Sequence, residues 1–185
     1  MTPGFISYCL NDDGVPSLWN GTIGGIYDQL VEDGAGGRMF TEGDIPNRAA
    51  FIAMAKRADT HFVAVCDRDA LPPDGSDINI PIVAVFWLNR IEHRRACCHF
   101  SVYKAFRSHS IEIGKAGLAY SFRLTDAAGK PALDLLWGVC AASNKAAVAY
   151  AQHCGGSFGC VVPKYLWNDA QQISEDAVFI HYARG

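Results

Sequence analysis

Net basic charge, paired metal-binding cysteines and membrane-length apolar runs are all missing from this 185-residue chain, and each absence removes a class of function. Sixteen Lys and Arg against nineteen Asp and Glu leave a net charge of −3. That argues against a nucleic-acid partner, because affinity for a phosphate backbone comes from clustered cations. The one basic run, Arg90, His93, Arg94 and Arg95, is short and reads as a solvated hairpin tip. Seven cysteines are present, but none forms a Cys-x-x-Cys pair, so no metal site is expected. Their odd number and apolar settings (Cys66, Cys140, Cys160) suit buried free thiols in a reducing compartment. No apolar stretch approaches the ~20 residues of a spanning helix, and no charged-then-apolar leader opens the chain. The expectation is a soluble, cytoplasmic protein with no membrane partner. Charged residues make up only 19% and apolar residues 50%, the balance of one compact domain over residues 1–185.

Period-2 and period-3.6 patterns give the order β-α-α-β-β-β-α-β-α-β-β. A first strand is expected over Phe5–Leu10. A helix follows from Ser17 to Asp33, with Leu18, Ile23, Ile26, Tyr27, Leu30 and Val31 on one face. Gly21, Gly24 and Gly25 weaken it by roughly 1 kcal/mol each and invite a kink. Residues 34–43 read as a Gly-rich loop. Asp44 is the expected cap of a second helix, with Phe51, Met54, Ala55 and Ala58 inward. Strands at His61–Cys66, Ile80–Ile91 and about 96–103 form an antiparallel meander, with a Pro/Gly/Asp-rich loop over 67–79. Further along come a helix from Ser110 to about Thr125, a buried strand over Leu133–Cys140, and a helix capped at Ser143-Asn144 and stopped by Gly155-Gly156. Two last strands, Ser157–Val162 and Ala177–Ala183, flank a polar connection holding Tyr165, Trp167 and Asn168. The strands at 96–103 and 133–140 should run parallel through a right-handed crossover. The fold class is therefore α/β (α+β): a mixed, mostly antiparallel sheet of six to seven strands with helices on both faces.

One stretch organises the rest, Ala96 to Gly117. A strand there runs into a short basic segment (Lys104, Arg107, His109) and then a helix whose first residue is Ser110. Such a helix start presents free N–H groups and a positive dipole end, a site for an anion and most simply a phosphate.

With the element order, two local patterns resemble the GNAT family of acyl-CoA-dependent N-acyltransferases from about Asp44 to Ala183. Residues 1–43 match only as a variable helical part. The family's pyrophosphate motif, Arg/Gln-x-x-Gly-x-Gly/Ala after a strand, fits in two registers. In the first, Phe106-Arg107-Ser108-His109-Ser110-Ile111-Glu112 keeps the arginine and its distance from the strand, with Ser110 and Glu112 where glycines are usual. In the second, Ile111, Gly114 and Ala116 keep the small residues without the arginine. The first is preferred because the N–H groups must sit at a fixed reach from the strand end. The second pattern is Asn144-x-x-Ala147 followed by Tyr150, Ala151 and Gly155. It is similar to the family's Asn-x-x-Ala helix beside the cofactor, with the usual tyrosine position falling at Ala151.

The resemblance implies acetyl-CoA or another acyl-CoA as cofactor, and direct acyl transfer to a primary amine of a small molecule or a protein. Phe100, Ser101 and Val102 would hold the carbonyl and pantetheine. Arg107, Ser108, His109, Ser110, Ile111, Glu112 and Gly114 would meet the pyrophosphate, and Asn144 would lie beside it. For proton transfer the candidates are His99 and Glu92 as base, and Tyr150 or His153 as acid. The acceptor site would involve residues 17–43, with Trp19, Tyr27, Asp28, Glu32, Asp33 and Glu42, together with Tyr165 and Trp167. A homodimer is an open alternative to a single copy. One rival reading is a GNAT-fold module that binds acyl-CoA without turnover; another is a cysteine hydrolase using Cys98 or Cys140 with His99 or His61.

Overall fold

In the computed structural model, residues 1–40, 43, 45–70 and 81–185 are described. The expected cap Asp44, the acidic Glu42, the strand start at Ile80 and most of the 67–79 loop lie outside them. The elements are β1 (Pro3–Ser7), α1 (Asn20–Glu32), α2 (Gly36–Met39), α3 (Arg48–Ala55), β2 (His61–Asp67), β3 (Ile82–Glu92) and β4 (Arg95–Val102). These are followed by α4 (Ser110–Phe122), β5 (Leu135–Ala141), α5 (Lys145–His153), β6 (Ser157–Asn168) and β7 (Ile173–Ala183). The seven strands form one sheet in the order β1-β2-β3-β4-β5-β7-β6. Every pairing is antiparallel except β4 with β5, which is parallel as the crossover required.

Strand alternation sends apolar side chains to both faces. On one face Phe62, Ala64, Val85 and Trp87 pack beneath α1 and α3 with Ile23, Ile26, Leu30 and Phe51. On the other, Val63, Val65, Phe86, Leu88 and Leu136 pack with Ile113 of α4. Double-sided burial is why β2 and β3 read as continuous apolar runs. Their 0–2% exposed side chains form the core of the sheet's first half. On α1, Gly24 is buried and a Cβ there would run into the Arg48 guanidinium of α3. This glycine leaves room for the Arg48 side chain that reaches Asp28, and α1 runs unbroken from Asn20 to Glu32.

Several boundaries differ from expectation for local reasons. β1 ends at Ser7 because Asn11 Oδ1 takes the N–H groups of Asp13 and Val15 and folds the chain back. The second helix is capped by Asn47, whose Oδ1 accepts from Ala50 N–H, and Ala58 lies beyond its end. The Gly-rich stretch contains the single turn α2. Val31, expected in the buried stripe of α1, is 51% exposed. The final hairpin is much longer than expected: Tyr165, Trp167 and Asn168 belong to β6 and not to a connection. The pattern was hidden by a register shift between Val162 and Leu166, where Lys164 has φ +57° and its N–H binds Asp176 Oδ1. No described helix is long and apolar enough to cross a membrane.

Candidate active site: the parted strands

β4 and β5 pair only at Arg95–Leu135, Ala96–Leu136 and Cys97–Trp137, and then part. The hydrogen-bonding parity of β4 follows from Tyr103, whose N–H donates to Val83 O (2.9 Å). With Val102 opposite Ala84, residues 103, 101 and 99 bond to β3, and the alternate residues turn their N–H and C=O groups towards β5. Beyond the last pair, the backbone groups of Phe100 and Val102 therefore face the opening. Ser101, expected with them, directs its backbone to β3. Gly138 marks the start of the parting, since a Cβ there would lie 3.3 Å from Cys98 O.

On the α4 side of the opening, a small cavity of about 40 Å³ is lined by Cys98, Phe100, Gly114, Gly117, Tyr150 and Cys154, among others. Tyr150 stacks on Phe100 (6.0 Å) and donates its hydroxyl hydrogen to Ser110 O (3.2 Å). α4 and α5 meet at Gly114, where a Cβ would strike the Tyr150 hydroxyl and come within 2.5 Å of Cys154 Sγ. Burial pushes the Tyr150 hydroxyl far above the usual phenol range, so it stays protonated.

The segment between β4 and α4 differs from the expected open turn. Residues Lys104–His109 form a 3₁₀ helix. Its donors are largely used: Lys104 N–H binds Asp33 Oδ2 (2.5 Å), Phe106 N–H binds Tyr103 O, and Ser110 N–H binds Arg107 O. Glycine-rich phosphate loops aim successive N–H groups outward through left-handed residues. No residue from 104 to 114 has positive φ, and the chain tightens into 3₁₀ turns instead. Arg107, Ser108 and His109 are exposed on this segment. Arg107 makes no ion pair among the described residues, whereas His109 Nδ1 lies 3.5 Å from the Glu112 carboxylate. Glu112 thus turns towards a histidine one helical turn back. Ile111 and Gly114 belong to α4, Gly114 being buried against α5. Asn144 caps α5, its Oδ1 accepting from Ala147 N–H (3.2 Å).

His99 projects to the opposite face, stacked on Trp87 at 4.9 Å and 9°. Its Nε2 lies 3.3 Å from Asn89 Oδ1 and 3.5 Å from Cys97 Sγ. Burial, aided by the Arg90 charge, lowers its pKa to about 4. Glu92 is not brought to this site. It pairs with Arg95 (3.1 Å) at the closed end of the β3–β4 hairpin, about 23 Å along β4 from Val102 at ~3.3 Å per residue. The cysteine-hydrolase alternative meets a chemical obstacle: burial raises Cys98 to about 12 and also raises Cys140, so neither is a thiolate at neutral pH. No group of three or more His, Cys, Asp or Glu among the described residues could hold a metal ion.

The acidic residues expected around an acceptor separate by position. Asp28 pairs with Arg48 (3.1 Å) and Asp33 caps Lys104. Trp19 is 62% exposed before α1. Tyr27 instead lines an open cavity with Phe40 and Asp169. Asp169 was missed in the sequence because its placement depends on the unrecognised length of the β6–β7 hairpin.

No family sequence profile and no curated protein sequence matches the chain. Solved structures do. Spermidine N-acetyltransferase from Vibrio cholerae, in complex with CoA and spermine, is 13% identical with a TM-score of 0.65 over 97% of this chain and 95% of that one. A point variant of the same enzyme aligns at 12% identity and TM-score 0.65, covering 98% and 93%. Another variant aligns over 74% and 72% at TM-score 0.55 and 14% identity. At such identities the likeness is one of fold: the chain has the mixed α/β fold of GNAT N-acetyltransferases.

Proposed function

We propose that this GNAT-fold chain is an acyl-CoA-dependent N-acyltransferase that moves an acetyl or other acyl group directly to a primary amine. The parting of β4 and β5 carries the reading, because it leaves an unpaired strand edge facing the gap between α4 and α5. The residues around it fit a thioester cofactor. Phe100 and Val102 offer backbone N–H and C=O groups to an amide-bearing arm. Arg107 stands exposed beside the start of α4 with no ion pair among the described residues, and Asn144 at the start of α5 uses its Oδ1 as the cap, its side-chain N–H₂ making no hydrogen bond among the described residues. When bound, acyl-CoA would supply an activated thioester carbonyl.

The chain's own groups then have limited but definite tasks. The Phe100 N–H would donate to developing negative charge on the carbonyl oxygen, a contribution that grows where water is excluded. Arg107, with Ser108 and His109 beside it, would neutralise phosphate charge; the serine hydroxyls of Ser108 and Ser110 replace part of the lost backbone cradle. His99 is neutral at pH 7 and can accept a hydrogen bond from an amine, but with a pKa of about 4 it is a weak base. Its role is to orient the amine, with water taking the proton. Tyr150 keeps its single hydroxyl hydrogen, which it gives to Ser110 O; only by swinging away from that carbonyl would it stabilise charge on a departing sulfur, and it would not protonate it.

A second reading is favoured by one observation, the 3₁₀ closure over Lys104–His109. A module that binds acyl-CoA weakly without turnover would tolerate that closure. Titration with acetyl-CoA separates these readings from a chain with no cofactor. If Kd is near 10 µM, roughly millimolar acetyl-CoA stabilises the fold by about 2.7 kcal/mol; no thermal shift would eliminate both. Amine-dependent release of free thiol distinguishes the enzyme from the module.

A further inference from the structure

An open cavity of about 390 Å³ lies between α1, α2 and the turn joining β6 to β7, lined by Tyr27, Val31, Phe40, Ile45, Pro46 and Asp169, among others. Two contacts tie it to the parted strands. Asp33, two residues after Val31, accepts the Lys104 N–H where β4 ends, so the cavity lies at the open end of β4. Phe40 stacks on Trp87 at 6.4 Å and Trp87 on His99 at 4.9 Å, an aromatic row from the cavity wall to the strand beside the parting.

The walls are apolar and ordered by ring contacts. Tyr27 and Phe40 stack at 5.9 Å. Val31 leaves the buried stripe of α1 to line the cavity at 51% exposure. Against these walls stands the carboxylate of Asp169. Its Oδ1 accepts from Trp167 Nε1 (3.3 Å) and Gln172 Nε2 (3.1 Å), which fix the group, while its Oδ2 faces Gly43. Gly43 has φ +72°, and a Cβ there would lie 3.4 Å from Oδ2.

Resting on the acyltransferase reading, we propose that this cavity receives the acceptor and that Asp169 selects it, as a protonated primary amine joined to an apolar body. A fixed carboxylate beside aromatic faces favours a cation. Apolar walls stabilise an apolar body. They disfavour a chain carrying several protonated amines, since each would lose hydration against those walls. The selection thus differs from the polyamine named in the structural neighbour's complex.

The test is calorimetric titration of the full chain, with and without saturating CoA, using phenethylamine, spermidine and 2-phenylethanol as probes. Phenethylamine should bind most tightly, with the uncharged alcohol about tenfold or more weaker. Asp169→Asn keeps the Oδ1 acceptor for Trp167 and Gln172. It should weaken phenethylamine by a similar factor while leaving the alcohol and the acetyl-CoA thermal shift unchanged. Tyr27→Leu keeps apolar volume and should weaken phenethylamine roughly threefold through loss of the ring face. In turnover, Asp169→Asn should raise KM for the amine and leave kcat in place. Equal binding of amine and alcohol, or of wild type and Asp169→Asn, would overturn the role of Asp169. Tighter binding of spermidine would overturn the apolar body. No amine binding with an intact acetyl-CoA shift overturns this proposal alone, whereas amine binding without any acetyl-CoA shift overturns the acyltransferase reading instead.

Discussion

Acid should destabilise this protein through His99, and the size of the effect follows from its surroundings. The imidazole is stacked on Trp87, shares Nε2 contacts with Asn89 and Cys97, and has a pKa lowered to about 4 by burial and by Arg90. In the unfolded chain it returns to about 6.5. Between those values the unfolded state binds the proton that the folded state refuses. The stability contributed by keeping His99 neutral is therefore complete above about pH 6.5 and is lost as pH falls towards 4. A gap of about 2.5 at ~1.36 kcal/mol per unit is worth about 3 kcal/mol in full, and about 2.5 kcal/mol by pH 4.5. His61, also lowered by burial and with no hydrogen-bond partner for its Nε2 among the described residues, acts in the same direction, so the wild type alone does not isolate the effect. Urea unfolding of wild type and His99→Gln at pH 7.5 and 4.5 does isolate it. The wild type should lose about 2.5 kcal/mol more than the variant across that interval. Equal losses would mean that His99 is not held neutral by burial, and it would return as a base candidate.

Other expectations concern the two helices beside the parting. Arg107→Ala should weaken acetyl-CoA binding about tenfold, read by calorimetry, with unfolding stability within ~0.5 kcal/mol of wild type. Gly114→Ala should destabilise by about 1–3 kcal/mol in urea, against the usual gain for such a change in a helix, because the new methyl meets Tyr150 and Cys154. Tyr150→Phe removes the hydrogen bond to Ser110 O and should cost about 1 kcal/mol of stability. If the hydroxyl also assists sulfur departure, kcat falls further with KM unchanged. His99→Ala should lower turnover while acetyl-CoA binding is kept, and the acid limb near pH 4, where the protonated imidazole can no longer accept from the amine, should be missing from the variant's pH–rate profile.

Much of the sheet was legible because its strands are apolar on both faces. The runs His61–Cys66 and Leu133–Cys140, and the crossover through α4, sufficed for the meander and the parallel pair. The parting itself was not legible, since nothing in Cys98 to Val102 or Gly138 to Ala141 distinguishes a paired strand from a separated one. The anion-binding turn was read from the basic residues and the helix start. It tightens into a 3₁₀ helix, in keeping with Ser110 and Glu112 adopting left-handed conformations far less readily than the glycines usual there. Glu92 looked close to the site in sequence, yet the hairpin carries it to the closed end of β4. Asp169 went unseen because Pro163 and Lys164 read as a strand end, whereas β6 absorbs them in a bulge and continues to Asn168.

The central claim is acyl transfer at the parted strands, and free-thiol release from acetyl-CoA, measured with and without a panel of primary amines, tests it most directly. The account predicts thiol release that depends on the amine, saturates with both reactants, and falls in Arg107→Ala through weaker cofactor binding. Binding of acetyl-CoA with no amine-dependent release from any member of the panel would contradict transfer and leave a binding module.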